Sequence, residues 1–538
     1  MTRRNLFVFF AALFLAAPVQ AGTAEKPPAL VVQVRSLERV FDHTKLILSL
    51  IGQEEIAGKV EGLLKSKIGP GGLEGVDQKK PFGVVVRFGK DLDDVSPLIL
   101  VPIADEKAFL KLLESNKLKF TKGKNDLYTA KVGTVIEIEI FFRFSKGYLC
   151  ATVLNPSAVD PERLPADPAK ALGGTEGPAF AATLRLDQVP LTARQLALGE
   201  FEKFYAPLLK EKDGGGGKAF HELQMATLEA LAEAVKAVLL DGKEATFTLD
   251  IQPKTRKLEA RLSLTGQKGT DLAKAIAAMG ENKSRFAGMI SDKALFNAVW
   301  NWQMPEKMTK AWGGFFADIK EKAIADLSDK GKQLQARALF AILEPTFKTG
   351  HLDAFLHFDV TSAKTLAYVA GVEVKDGKKL EKELRGLVEE ARKIMVDKDK
   401  IQLDFAKAEG VSIHRLEIPE TRDLAALKAL LGEAAVYFAF RDDAVFVALG
   451  KGGKDSIEGA LKNATPGKSP ILLYRADLRA MLRLMAAKGV EPPGVDKLFP
   501  EGGDNTVLFR VEGGPALTVQ LELPLNVFLM AKGGKKSE

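Results

Sequence analysis

The chain has 538 residues, 46% of them hydrophobic, and 77 Lys and Arg against 70 Asp and Glu leave a formal charge of +7. That apolar content suffices for two or more packed cores. Acids and bases are interspersed, with no basic stripe carrying aromatics, which removes nucleic acid from the expected partners. The single cysteine, Cys150, cannot staple the chain to itself, so packing must supply stability.

Residues 1–21 read as a signal peptide. Arg3 and Arg4 form the positive start, Leu6 to Ala17 the apolar run, and Val19-Gln20-Ala21 the small-x-small cleavage pattern. The run is shorter than the roughly 20 residues a bilayer requires, and no later stretch reaches that length. The expectation is an exported protein, periplasmic or secreted, without a transmembrane segment after cleavage. The loss of two arginines would lower the charge to +5.

Four later segments open alike, with a short apolar strand leading into helical sequence: from Ala29, Ala179, Arg285 and Ile471. Hairpins follow near Val84, Thr246, Leu352 and Val507. In one of them Ala245, Phe247, Leu249 and Ile251 alternate with polar residues, the period of a half-buried antiparallel strand. Helical stripes such as Leu380, Leu384, Leu387 and Leu228, Leu231, Val235 supply a cover. A further phrase occurs twice, as Ile140–Val153 and Tyr437–Gly450, with Phe142 and Phe144 matching Phe438 and Phe440 and Cys150 matching Phe446. The layout predicts an α+β fold of two tandem duplicated halves, 22–283 and 284–531, before a disordered tail at 532–538. Each half is expected to hold antiparallel β-hairpins in a curved sheet with helices packed on one face.

Candidate chemistry is sparse. The glycine-rich loop Lys212–Lys218 lacks the spacing of a phosphate loop, and no Gly-x-Ser-x-Gly occurs. On the strand His351–Asp359, the residues His351, Asp353, His357 and Asp359 share one face and present metal-ligating types two apart, but a third anchoring ligand is not identifiable. The clean alternation assigns that face to solvent. Cys150 reads as a buried small hydrophobe. The three tryptophans fall together: Trp300, Trp302 and Trp312, with Phe315 and Phe316 beside them, read either as core or as an apolar ligand surface. Trp300-x-Trp302 before Pro305 looks like an irregular junction.

With these units and phrases such as Pro97–Ser115, in which Asp105 caps a helix and Phe109, Leu112 and Leu113 face inward, the chain resembles large exported bacterial proteins of planctomycete type whose function is unknown. The resemblance implies a non-enzymatic envelope role. No cofactor is expected, and the expected partner is an envelope component or an apolar ligand. The first expectation is therefore a soluble exported binding or scaffolding protein. The alternatives are a carrier of a lipid or other apolar ligand, and a hydrolase with an unrecognised site.

Overall fold

The computed structural model describes residues 27–50, 73–89, 95–132, 138–153, 155–210, 217–360, 365–394, 400–418, 428, 431–486, 495–499 and 501–528. The signal segment 1–21, most of the loop at 212–218 and the tail lie outside the described residues. Contacts divide the chain into two compact units: Met1–Glu202 with Ala237–Lys274 and Leu521–Glu538, and Lys203–Lys236 with Ala275–Gln520. The protein is mixed α+β, and every described strand pairing is antiparallel.

The first unit contains β1 (Leu30–Val34), β2 (Phe82–Phe88), β3 (Val95–Pro102), β4 (Phe120–Lys122), β5 (Tyr128–Val132), β6 (Ile138–Ser145), β7 (Tyr148–Thr152), β8 (Phe180–Arg185), β9 (Gly242–Gln252) and β10 (Lys257–Gly266). Their pairings run in the order β4-β5-β6-β7-β3-β2-β1-β8-β9-β10. The helices α1 (Leu37–Leu50), α2 (Glu106–Ser115) and α3 (Pro168–Ala171) join them. Asp105 caps α2 by accepting from the N–H groups of Lys107 and Ala108, as its position before the apolar stripe predicts.

Helices α4 (Leu191–Tyr205) and α5 (Lys218–Asp241) come between β8 and β9 in the chain, and α6 (Asp271–Met279) follows β10. The second unit contains β11 (Lys283–Ser284), β12 (Phe296–Gln303), β13 (His351–Val360), β14 (Leu366–Glu373), β15 (Ile401–Ala408), β16 (Val411–Glu417), β17 (Ala435–Phe440), β18 (Ala444–Leu449), β19 (Gly467–Lys468), β20 (Leu472–Asp477) and β21 (Thr506–Glu512). Its large sheet runs β15-β16-β17-β18-β14-β13-β12-β20-β21. Helices α7 (Glu306–Ala325), α8 (Lys330–Lys348), α9 (Gly377–Ile394), α10 (Gly453–Asn463) and α11 (Leu478–Ala486) complete it.

Helices lie on both faces of each sheet rather than on one. In the first unit Val31, Val85, Leu98, Leu100 and Cys150 pack on one face beneath Val159 and Leu172. On the opposite face Phe109 and Leu112 of α2 cover Val101, Phe144 and Leu149. In the second unit α10 places Ile457, Ala460 and Leu461 over Val299, Phe355, Val369 and Phe446. A strand with apolar residues at both parities needs a cover on each side, which explains the departure from a one-sided sheet.

Two local expectations change. The third opening segment is not a strand at Arg285: residues Ala287–Met289 form a 3-10 turn, and the strand is β12. Trp300 and Trp302 therefore sit in regular strand, not in a junction. The alternation was hidden because Asn297 and Asn301 occupy fully buried positions on the inward face of β12.

Candidate functional site

The second face of each sheet is apolar well beyond the helix that covers part of it. In the first unit, Leu30, Val32 and Val34 of β1 align with Leu184, Ala182 and Phe180 of β8. The row continues through Ala245, Phe247 and Leu249 of β9 to Leu264, Leu262 and Ala260 of β10. These side chains are half-buried at most, and Phe247 and Leu262 keep 39% and 43% of their surface exposed. Exposed apolar surface of this continuity marks binding sites more often than it occurs by chance on a soluble domain.

At one end of this face lies a cavity of about 440 Å³, within the roughly 300–1,000 Å³ range of small-ligand sites. Phe82 of β2 and Val101 of β3 line its sheet side, Leu37 of α1 and Val76 flank it, and Phe109, Leu112 and Leu113 of α2 close it; Asn116 is the polar side chain among its lining residues. The i, i+3, i+4 spacing of that stripe aims one side of α2 at the sheet. Phe109 and Leu112 are buried, whereas Asn116, at the end of the helix, is exposed.

A smaller cavity, about 250 Å³, lies on the corresponding face of the second unit. Ala354 and Ala370 are among its lining residues, with Trp300, Leu356, Tyr368, Val372, Val445 and Val447 around them. Two alanines among large neighbours on one sheet face leave a depression. Val372 there retains 41% of its surface.

The five aromatic residues singled out in the sequence separate into two groups. Trp300 lines the second cavity, and Trp302 follows two residues later on the same strand face. On α7, Trp312, Phe315 and Phe316 build a helix seam instead. Phe316 stacks on Phe347 of α8 at 3.9 Å and meets Phe340 at 5.7 Å, while Phe315 meets Phe220 at 6.0 Å.

The strand β13 departs from its expected wet face. Asp353 and Phe355 are each only 1% exposed, because this parity of the strand is the one that faces α10 and the core. Asp353 accepts from Ser284 Oγ at 2.6 Å and from the Arg285 backbone N–H at 2.7 Å. Burial pushes its carboxyl upward, and those two bonds work against that shift. His351 Nδ1 is 2.6 Å from Glu373 Oε2, and its Nε2 is 3.1 Å from Asn301 Oδ1. The ring has a partner at each nitrogen, and the bond to Glu373 raises its pKa. Arg285 spans Glu373 at 2.8 Å and Asp443 at 3.0 Å. Burial pushes Glu373 up, but the His351 and Arg285 bonds outweigh it and leave its carboxyl below the usual range.

His357 instead meets Asn297 Nδ2 at 3.4 Å, and burial lowers its pKa. Asp359 is exposed, and its carboxylate accepts the N–H of Val360. The four residues thus share no partner. Among the described residues no group of three or more His, Cys, Asp or Glu is placed to hold a metal ion. Ser284 is fully buried and its hydroxyl donates a hydrogen bond to Asp353 rather than to an imidazole, so it is not set as a nucleophile. Cys150 is fully buried, and burial raises its thiol to about 12.

Of the residues that line the larger cavity, the sequence marks Phe109, Leu112 and Leu113, and those only as inward-facing helix positions. Glu373, Ser284 and Asn301 carry no signal in the sequence, since they meet His351 and Asp353 only through the tertiary structure. No protein-family model, curated protein or solved structure matches this chain.

Proposed function

We propose that this is an exported protein that binds an apolar, lipid-like ligand on the second face of its sheets and carries it in the envelope. The observation behind this reading is the apolar face of the first unit, which stays half exposed and ends in a cavity of about 440 Å³ lined almost wholly by carbon. Burial of each ligand methylene there contributes about 0.8 kcal/mol, so a chain of modest length would offset the cost of association. Export rests on the segment 1–21, and the envelope setting on the resemblance to planctomycete-type exported proteins.

We also infer that the chain is a tandem duplication. Nine strands of each unit follow one order when β1, β2 and β3 are matched with β12, β13 and β14. In that match Phe144 opposite Leu149 corresponds to Phe440 opposite Val445, and Cys150 corresponds to Phe446. Both cavities then fall on the same face of the scaffold. A scaffolding role accounts for export and duplication but gives the cavities no purpose. A hydrolase would need a nucleophile that the His351 cluster does not present.

Native mass spectrometry of the gently purified protein tests the proposal. Adducts in the mass range of lipids, lost on mild activation, are expected. A protein that carries none and takes up none from mixed bacterial lipid extract would return the reading to scaffolding.

A further inference from the structure

The larger cavity has direction as well as size. Of its lining residues on α2 and at that helix's end, Phe109 and Leu112 are each 7% exposed, whereas Asn116, the furthest along, is exposed. Along α2 this path covers about 10 Å at 1.5 Å per residue, a large part of the roughly 15 Å depth of one bilayer leaflet. Immediately beyond Asn116 the backbone turns through Lys117, with φ of 62°, and the chain then carries Lys119, Lys122 and Lys124. Lys117, Lys119 and Lys124 are exposed. Acids nearby are fewer: Glu114 is exposed on α2, and Asp126 is held by Lys122 at 2.7 Å.

From this geometry, and resting on the apolar-ligand reading above, we propose that the ligand of the first unit is a single-chain amphiphile with an anionic head. Its tail enters between α2 and the sheet toward Phe109. Its carboxylate or phosphate stays at the mouth beside Asn116, within the field of Lys117 and Lys119. A neutral lining fixes the tail without selecting a head, so discrimination between heads falls to the lysines at the rim. Those interactions are solvent-exposed and weaken with salt.

Isothermal calorimetry at low ionic strength, with probes below their micellar concentration, separates the tail from the head. Dodecanoate is expected to bind the full-length protein at least tenfold more tightly than dodecanol. In the double variant Lys117→Glu, Lys119→Glu that preference should fall to within about twofold while dodecanol affinity holds, since both side chains are on the surface. Leu113→Trp should weaken both probes by filling the cavity. Equal affinity of the two probes for the wild type, or a preference that survives the charge reversal, overturns the anionic-head assignment and leaves the apolar-ligand reading standing. If neither probe binds the wild type, the apolar-ligand reading itself fails. Dodecyl phosphate, tested beside dodecanoate, tells a phosphate head from a carboxylate.

Discussion

Gly371 of β14 leaves the space that the ring of Phe355 on β13 occupies. A Cβ at position 371 would stand 2.3 Å from Phe355 Cε1 and 3.1 Å from the ring of Phe286. Across the next pair Gly371 faces Phe446, whose ring meets Phe286 edge-on at 5.9 Å. At the matching place in the first unit, Leu100 faces the small Cys150. Under the proposed duplication, large and small residues exchange strands here while the face stays filled.

Gly371→Ala should therefore destabilise the second unit by about 1–3 kcal/mol through overpacking. The measurement is the midpoint of urea unfolding. Phe355→Leu added to Gly371→Ala should recover part of the loss, and strict additivity of the two changes would show that they do not share this space.

The His351–Glu373 pair predicts a pH window. His351 has a raised pKa, so its contribution is complete below its ordinary 6.5 and fades as pH rises through the higher folded value. Glu373 is lowered, so its contribution is present above its ordinary 4.5 and fades as pH falls through the lower folded value. Both contributions are full between those two pH values. His351→Gln should cost about 1–3 kcal/mol at pH 5.5 and less at pH 9, as read from denaturant midpoints. An equal cost at both would show that His351 carries no extra proton in the fold.

Cys150 should be inert. With its thiol raised to about 12 and no exposed surface, it should not react with iodoacetamide in the native protein at pH 8 and should label completely in denaturant. Native labelling at the rate of a free thiol would show that the face under Val159 and Leu172 opens.

Trp300 can report on the second cavity. With Trp302→Phe and Trp312→Phe in place, emission comes from Trp300 alone, and sub-micellar dodecanoate should shift it to shorter wavelength as the chain displaces water. An unchanged spectrum would confine ligand binding to the first unit.

Several features were legible because they depend on neighbours in sequence. The hairpin through Ala245 to Leu264 kept its alternation in β9 and β10, and Asp105 capped α2 where the stripe of Phe109, Leu112 and Leu113 required it. Other features were not. Asn297 and Asn301 disguised β12 because a buried amide looks like a surface residue until its partners are known; Asn297 Nδ2 donates to the Met289 carbonyl at 3.1 Å. The inward face of β13 was misjudged for the same reason. His351 and Asp353 are polar, yet Glu373, Ser284 and Arg285 satisfy them from other strands and turns.

By itself the sequence determined the periodicities: which stretches alternate by two, which step by three and four, and which phrases recur at long range. These reflect local backbone geometry, which each segment carries with it. Only the tertiary structure decided which parity of each strand is covered, because that choice depends on where α2, α9 and α10 come to rest. It also decided that the apolar row from Leu30 to Leu264 remains half open and ends in a cavity, since surface left uncovered is a property of the packed chain and of no single segment.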